Sequence, residues 1–326
     1  MNSSEKCRVR IVAAGLSPAW QQILQFDNLR PGEVNRAVES HWCGSGKVLN
    51  VGTALSTLRQ TLPADGNLAV ECRTIAPLGG AQVASIKQDL QSIGVEGRWI
   101  TTKSTTRVCT TLLDRSSGMT TELVENARAL EGAELQEFMR AWIDETAQAD
   151  VVVLTGSLPP GTPSTTYEEM LKQTSAAAVL DCRGEELLSA LSCKPLVVKP
   201  NREELAATIG LPTTTTAETF AAMQELNQRG VAWVVVSSGP DAVLVSHADG
   251  RYILKPPHVQ NVVNPIGSGD CLAAGIAFGI AIGQVPLAAI RLGIAAAVSN
   301  VSHLLPARFD VTQLAEIADS IAVEID

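Results

Sequence analysis

The turn at residues 264–270 combines glycine, serine and aspartate at a spacing that could support chemistry. Its sequence is Asn-Pro-Ile-Gly-Ser-Gly-Asp, and a run of small apolar residues follows at 271–276. This pattern predicts a strand-to-helix turn whose backbone N–H groups converge at a helix N-terminus and bind an anion. Asp270 could accept the proton of an attacking hydroxyl group while those N–H groups hold a phosphoryl group. The N–H groups belong to Gly267, Ser268 and Gly269. Alone, such a string is also typical of a plain tight turn.

Composition narrows the possible partners. The 326 residues are 45% hydrophobic and carry a formal net charge of −9, which argues against a nucleic acid or an anionic membrane as partner. The seven cysteines form no C-x-x-C pair, which favours reduced thiols in the cytoplasm, and four scattered histidines argue against a zinc site. The first ten residues are polar and lack the apolar core of a signal peptide. We therefore expect a cytoplasmic protein that holds any anionic substrate with local donors.

The uncharged run at 271–290 is almost long enough to span a membrane, and it contains Gly275, Gly279 and Gly283. However, Asp270 stands at its entrance, and Gln284 with a following proline interrupts it. A buried helix packed closely against a sheet accounts for the glycines better than a transmembrane helix does.

The elements that must position these residues alternate between strand and helix. Short apolar runs rich in valine predict buried parallel strands at 9–14, 70–75, 151–154, 178–180, 196–198 and 231–236. Helices are predicted at 46–58, 85–93, 164–173 and 217–228. The predicted class is therefore α/β, with a mostly parallel central sheet between helical layers, and ligands of such sheets bind at the carboxyl ends of the strands.

Two inserted regions have a different pattern. Residues 20–26, 34–41, 107–113 and 120–124 alternate apolar and polar side chains and are joined by turn signals. We expect them to form a small, half-exposed antiparallel sheet, inserted at about 19–41 and 105–125 into a single domain that covers residues 1–326. Such a sheet would close over a substrate or pair with a second copy of the chain, because bare sheet edges invite pairing.

Taken together, these motifs resemble those of the PfkB carbohydrate kinases, which have the ribokinase-like fold. The similarity is greatest to the 1-phosphofructokinase and tagatose-6-phosphate kinase branch. It rests on ordered motifs at 30–36, 44–51, 156–161, 199–205 and 264–270. The resemblance implies a three-layer α/β/α core with a small β-sheet lid, a homodimer formed through that lid, and the cofactors ATP and Mg²⁺.

The resemblance also implies a role for each motif. Asp270 matches the catalytic base, and Gly267, Ser268 and Gly269 match the anion hole. Asn201 and Glu204 match an N-x-x-E element that organises Mg²⁺ and its waters, although this spacing is equally typical of a helix cap. The implied substrate contacts are Gln21, Gly46, Lys47, Asn50, Arg107 and Ser157. The implied nucleotide contacts are Lys199, Asn201, Ser237, Gly239, Gly267 and Gly269, and a simple β-turn is an alternative for the segment around Gly239.

Arg107 and several departures from the family pattern help to predict which sugar the protein phosphorylates. In this branch Arg107 matches the residue that holds the phosphate already present on the sugar, a task suited to a guanidinium, and a solvated lid charge is the alternative. Gln21 stands where an aspartate usually anchors sugar hydroxyls, Ser45 and Val48 replace glycines, and 125–127 lacks a common Gly-Pro pair. We therefore predict an ATP-dependent kinase for a phosphorylated ketohexose such as fructose 1-phosphate, fructose 6-phosphate or tagatose 6-phosphate. The alternatives are a kinase for an unphosphorylated sugar or a nucleoside, and a non-catalytic sugar sensor.

Overall fold

A ten-stranded sheet and a four-stranded sheet form the framework of the protein. The computed structural model describes residues 7–63 and 66–326. Its strands are β1 (Cys7–Ala14), β2 (Ala19–Phe26), β3 (Glu39–Ser45), β4 (Leu68–Gly79), β5 (Gly97–Thr102), β6 (Arg107–Asp114), β7 (Thr120–Val124), β8 (Val151–Thr155), β9 (Ala177–Asp181), β10 (Val197–Val198), β11 (Trp233–Val236), β12 (Val243–His247), β13 (Gly250–Lys255) and β14 (Ala322–Ile325). The large sheet has the order β14-β13-β12-β11-β10-β9-β8-β1-β4-β5. From β5 to β11 its strands run parallel, and β12 to β14 add antiparallel pairs.

Helices cover both faces of the large sheet. They are α1 (Lys47–Leu58), α2 (Val83–Ser92), α3 (Gly132–Thr146), α4 (Thr166–Leu171), α5 (Gly184–Ala190), α6 (Arg202–Ile209), α7 (Thr216–Gln228), α8 (Ser268–Ala281), α9 (Pro286–Asn300) and α10 (Leu314–Ser320). Strand β1 shows the layering, because Ile11 packs in the core beneath α1, α8 and α9 whereas Val12 packs in the core beneath α3 to α7. Both faces are buried, as expected for parallel strands, and the predicted ribokinase-like α/β/α class is confirmed.

The uncharged run at 271–290 belongs to two helices, α8 and α9, that meet at glycines. A β-carbon placed on Gly275 would lie 2.4 Å from the Cα atom of Gly293, and one on Gly279 would lie 2.7 Å from the Cα atom of Ala289. Gly275 and Gly279 therefore let α8 approach α9, whereas Gly283 has open space around it. The expected buried helix packed against the sheet is confirmed, but the sheet is not what requires these glycines. Across residues 7–63 and 66–326, none of the helices combines the length and the apolar character needed to cross a membrane.

The four-stranded sheet, which we call the lid sheet, has the order β3-β2-β6-β7. It is not wholly antiparallel as predicted, because β2 and β6 pair in parallel across its centre. The strand predicted at 34–41 is also displaced and lies at Glu39–Ser45. The reason is local: the Asn35 side chain both accepts from the backbone N–H of Arg30 and donates to its carbonyl, at 2.8 Å each, and so closes residues 30–35 into a loop.

Candidate active site

The anion-binding turn lies at the start of α8, as predicted. Gly267 caps this helix with φ of 86°, and a β-carbon on it would lie 2.9 Å from the backbone nitrogen of Ala307. Both the left-handed conformation and the close approach require glycine. Ser268 Oγ donates to the Pro265 carbonyl at 2.8 Å and accepts from Asn300 Nδ2 at 3.0 Å, which fixes the turn against the end of α9.

Three backbone donors at this turn have no partner among the described residues. The N–H of Ser268 bonds to the Pro265 carbonyl and that of Cys271 to the Gly267 carbonyl, whereas those of Gly267, Gly269 and Asp270 are unpartnered. Unpartnered donors at the positive end of a helix dipole form a site for a phosphate or another anion. The predicted donors Gly267 and Gly269 are thus available, but the prediction for Ser268 is wrong because its N–H closes the turn on Pro265, and the N–H of Asp270 is available instead.

Asp270 lies in the first turn of α8 and is 7% exposed. Its Oδ2 accepts a 2.7 Å hydrogen bond from Asn50 Nδ2, which orients the carboxylate. Burial, and next the negative charge of Asp181, raise the pKa of Asp270 from 3.8 to about 7, against the opposing effects of Lys47 and Asn50. A carboxylate with a pKa near neutrality is well matched to general base catalysis.

A charged cluster lies beside this carboxylate. Lys47 Nζ contacts Asp181 Oδ1 at 3.0 Å and Glu204 Oε1 at 3.3 Å, and Lys199 Nζ contacts the same Asp181 oxygen at 3.2 Å. Burial opposes both charged forms, but the two ammonium groups lower the pKa of Asp181, while Asp181 and Glu204 raise the pKa of Lys47. Lys199 also borders the anion site, because its Nζ lies 3.5 Å from where a β-carbon on Gly269 would be.

Asn201 and Glu204 form a capping box at the start of α6. Asn201 Oδ1 accepts from the Glu204 backbone N–H at 2.7 Å, and Glu204 Oε2 accepts from the Asn201 backbone N–H at 3.0 Å. The helix-cap alternative is thus correct as local structure, while the metal role is untested. Mg²⁺ prefers oxygen ligands and retains several waters. Within residues 7–63 and 66–326, no three side chains of Asp, Glu, His or Cys gather at one metal position, and Asp181 and Glu204 already contact lysines. Glu204, next to Asn201, would therefore hold Mg²⁺ only through water.

The residues predicted to contact the sugar lie near the lid sheet. Gly46 precedes α1 with φ of 81°, and a β-carbon on it would lie 2.9 Å from the Ala19 nitrogen and 3.0 Å from the Ser17 carbonyl oxygen. Arg107 donates to that same Ser17 carbonyl at 3.0 Å and to the Glu125 carbonyl at 3.1 Å. Gly46 and Arg107 therefore both contact residues 17–19, the segment that leads into β2.

Gln21 and Ser157 occupy different surroundings. Gln21 is buried in β2, and its Nε2 donates to Thr111 Oγ1 at 2.6 Å, so its amide carbonyl is the group left to accept a hydrogen bond. Ser157 is exposed after β8, and its carbonyl accepts a 2.6 Å hydrogen bond from Ser17 Oγ. The structure thus places Ser157 beside the same Ser17 segment as Arg107.

The predicted nucleotide loop after β11 is a tight turn. Ser237 forms an isolated bridge with Asn201, which joins it to the capping box of α6. Gly239 is exposed with φ of 54°, and the Asp241 N–H donates to the Ser238 carbonyl at 3.0 Å across the turn. The β-turn alternative is correct as geometry, and binding of a nucleotide at this turn is untested.

Asp181 is the main site residue that the sequence analysis missed. It ends β9, and its side chain is 1% exposed between two lysines. The predicted strand at 178–180 carried a usable signal, since a carboxylate directly followed the carboxyl end of a parallel strand, where ligands of such sheets bind. Thr111, the partner of Gln21, carried no comparable signal because a threonine in a strand is ordinary.

Fold and site together define an α/β protein in which a helix N-terminus with unpartnered N–H groups adjoins a buried carboxylate, an arrangement suited to phosphoryl transfer. The chain belongs to the pfkB family of carbohydrate kinases, whose model matches residues 23–309. It is accordingly a sugar kinase of that family.

Solved structures share the fold at low sequence identity. A possible 1-phosphofructokinase from Thermotoga maritima superposes with a TM-score of 0.86 at 19% identity over 97% of this chain and 99% of that one. Phosphofructokinase-2 from Escherichia coli, in complex with substrates and products, gives 0.84 at 24% identity over 95% and 99%. Ribokinase from Arabidopsis thaliana, complexed with ribose and ATP, gives 0.71 at 18% identity over 96% and 99%.

Proposed function

We propose that this protein transfers the γ-phosphoryl group of ATP to a hydroxyl of a phosphorylated ketohexose, as in the 1-phosphofructokinase branch of the family. Fructose 1-phosphate, fructose 6-phosphate and tagatose 6-phosphate are the candidate substrates. The observation that carries this proposal is the set of partners of Arg107. Its guanidinium group lies beside the segment that leads into β2 and donates only to backbone carbonyls, those of Ser17, Pro18 and Glu125. A carbonyl orients the guanidinium without neutralising its charge, which leaves that charge for a substrate phosphate.

In the proposed reaction, Asp270 orients the acceptor hydroxyl and takes its proton as that oxygen attacks the phosphorus in line. Asn50 holds the carboxylate at 2.7 Å, so the accepting oxygen is fixed before substrate binds. The unpartnered N–H groups of Gly267, Gly269 and Asp270 stabilise the charge that develops on the transferred group. Lys199, close to Gly269, adds a positive charge at the same place.

The proposed cofactors are ATP and Mg²⁺, the latter bound through water by Glu204, next to Asn201. When bound, Mg²⁺ neutralises charge on the triphosphate. The proposed nucleotide contacts are those that the family resemblance implies, with Ser237 and Gly239 at the turn after β11. Asp181 positions Lys47 and Lys199 for the phosphates, because it contacts both ammonium groups.

We further propose a single domain that works in the cytoplasm as a homodimer formed through the lid sheet. All seven cysteines are free, as in a reducing compartment. The outer surface of the lid region exposes large apolar side chains at Val34, Val38, Trp42, Leu123 and Val124. Light scattering tests the dimer, and a strict monomer at working concentrations would contradict it. One solved form of Escherichia coli phosphofructokinase-2 is described as tetrameric and inhibited.

A phosphoryl-acceptor screen with ATP and Mg²⁺ over matched free and phosphorylated sugars tests the substrate class. Truncating one partner of a desolvated charge pair commonly costs about 2–5 kcal/mol, or roughly 30- to 4,000-fold in kcat/KM. Arg107→Ala should lose that much on a phosphorylated ketohexose, while the exposed Arg140 on α3, replaced by alanine, serves as control.

An Arg107→Ala variant with unchanged phosphosugar kinetics would refute the phosphosugar substrate. Turnover of a free sugar or nucleoside alone would favour the first alternative. Absence of transfer to every acceptor, with sugar binding retained, would favour a sensor.

A further inference from the structure

A small cleft lies beneath the loop that joins β5 to β6. Among the described residues that line it are two arginines, Arg107 and Arg128, and no aspartate or glutamate. Hydroxyl side chains complete its polar lining: Ser17, Thr102, Ser104, Thr105 and Thr106. A wall of guanidinium and hydroxyl donors without a carboxylate suits an anion, and this is notable in a chain whose net charge is −9.

Arg128 is held at this cleft by weak partners. One of its terminal nitrogens hydrogen-bonds to Thr105 Oγ1, and the other lies 3.8 Å from Glu125 Oε2. That carboxylate oxygen already accepts a 3.0 Å hydrogen bond from the Val108 backbone N–H. The Arg128–Glu125 contact is thus long and half exposed, and such a pair contributes little by itself.

Glu125 connects the two arginines. Its carbonyl accepts from Arg107 Nη1 at 3.1 Å, while its carboxylate lies near Arg128. The segment after β7 therefore brings a second guanidinium to the cleft that Arg107 borders. The family resemblance gave no reason to select Arg128, since residues 125–127 depart there from the common Gly-Pro pattern.

We propose that Arg128 is a second phosphate-binding residue, which with Arg107 holds the phosphate of the sugar substrate and selects phosphorylated over free ketohexose. This inference rests on the proposed function. A phosphate monoester carries about −1.5 to −2 charge at pH 7, which two guanidinium groups match and one does not. Arg107 is oriented by carbonyls and provides a fixed fork, whereas Arg128 turns from Glu125 to the phosphate.

The location agrees with this role. Arg107 bonds to the Ser17 and Pro18 carbonyls, and these residues lie against Gly46, which directly precedes α1. One turn along α1, Asn50 bonds to the base Asp270. Gly46 and Asn50 are one turn of helix apart, about 6 Å along the axis of α1, so the start of α1 links the segment that Arg107 holds to the residue that orients Asp270.

The test compares Arg128→Gln with Arg140→Gln, a control on an exposed face of α3. A hydrogen bond to a charged group is worth roughly tenfold or more in binding. We expect Arg128→Gln to lower kcat/KM for the phosphorylated ketohexose about tenfold, mainly through KM. Its kinetics with the free ketohexose and its KM for ATP should equal those of the wild type. Inorganic phosphate, titrated calorimetrically as a direct probe of the cleft, should bind about tenfold more weakly, and Arg140→Gln should change none of these values.

The outcomes separate this inference from the proposed function. If Arg107→Ala impairs phosphosugar turnover and Arg128→Gln does not, the role of Arg128 is refuted and the function stands. If the wild type phosphorylates no phosphosugar, the proposed function fails, and the phosphate titration alone decides on Arg128. Weaker phosphate binding in Arg128→Gln then retains the cleft as an anion site, and unchanged binding rejects it.

Discussion

Replacing Asp270 with asparagine should affect catalysis and stability in opposite directions. Asparagine keeps the size of the side chain and an oxygen that can accept from Asn50, but it cannot take a proton. General base catalysis typically contributes about 10²–10⁴-fold, so kcat should fall by that factor while ATP still binds. In the wild type, kcat/KM should rise with pH up to about 7 and then level off, because Asp270 must be deprotonated.

The stability change follows from the raised pKa. A rise from 3.8 to about 7 corresponds to about 4 kcal/mol against the charged form of Asp270 in the folded protein. Between these two pH values the folded state binds a proton that the unfolded state has released. The free energy of unfolding of the wild type therefore falls as pH rises through this window, and the loss is complete above about pH 7.

Asp270→Asn removes this titration, so its stability should not fall in the same way. Relative to the wild type, it should gain about 2–3 kcal/mol in the free energy of unfolding between pH 5 and pH 8. Denaturant unfolding at the two pH values measures the difference, and Asp319→Asn, which changes a carboxylate 89% exposed, is the control. Near-native turnover in Asp270→Asn would refute the role as base. A stability difference that is the same at both pH values would refute the raised pKa of Asp270.

Three further predictions follow from neighbouring contacts. Lys47→Gln removes a charge that lowers the pKa of Asp270, so the acid limb of kcat/KM should move to higher pH in a pH–rate series. Gln21→Asp should raise kcat/KM for a phosphorylated ketohexose in steady-state assays, if the missing carboxylate lowers the activity of this protein on such a sugar. A fall in kcat/KM would show that the substrate is bound better by the amide than by a carboxylate. Gly293→Val places a side chain 2.5 Å from the Leu272 carbonyl and should lower the free energy of unfolding by about 1–3 kcal/mol in denaturant melts, whereas Gly132→Ala, with open space around it, should not.

Much of the fold could be predicted because its signals are local. Valine-rich runs identify buried parallel strands, and glycine turns mark where each ends, so the α/β class and its main strands follow from the sequence. Pairing direction could not be predicted for the lid sheet. Strands β2 and β6 are separated by 80 residues of other elements, and alternation of side chains is the same in parallel and antiparallel pairs. Likewise, helix-packing glycines and sheet-packing glycines have the same spacing, so the partner of Gly275 was assigned wrongly.

Site residues could be predicted from the sequence where they belong to one continuous motif. They could not be predicted where a property depends on residues that are far apart in the sequence. The turn before Asp270 carries its own capping glycine, and two of its three predicted donors are unpartnered, with Asp270 in place of Ser268. The pKa of Asp270 depends instead on burial and on Asp181, which lies far away in sequence. The sequence analysis did not select Arg128 for the same reason, because its proposed role arises only from the fold, which places it on the same cleft as Arg107.

The two groups of cations in this protein differ in how their charge is balanced, and that difference suggests different tasks. Lys47 and Lys199 share Asp181, and Lys47 also contacts Glu204, so this cluster is close to neutral before any ligand binds. The salt bridges hold the lysines of such a cluster in place before a ligand binds. This suits the binding of a triphosphate, because Mg²⁺ offsets most of the charge of that ligand. Arg107 has carbonyl partners and a longer-range attraction to Glu122, and Arg128 has a hydroxyl and one long carboxylate partner, so their charge is compensated less directly. A substrate phosphate arriving without a metal ion supplies direct compensation, so we assign it to the arginines. Lys47, which the family resemblance gives as a sugar contact, we propose instead for the nucleotide, together with Lys199.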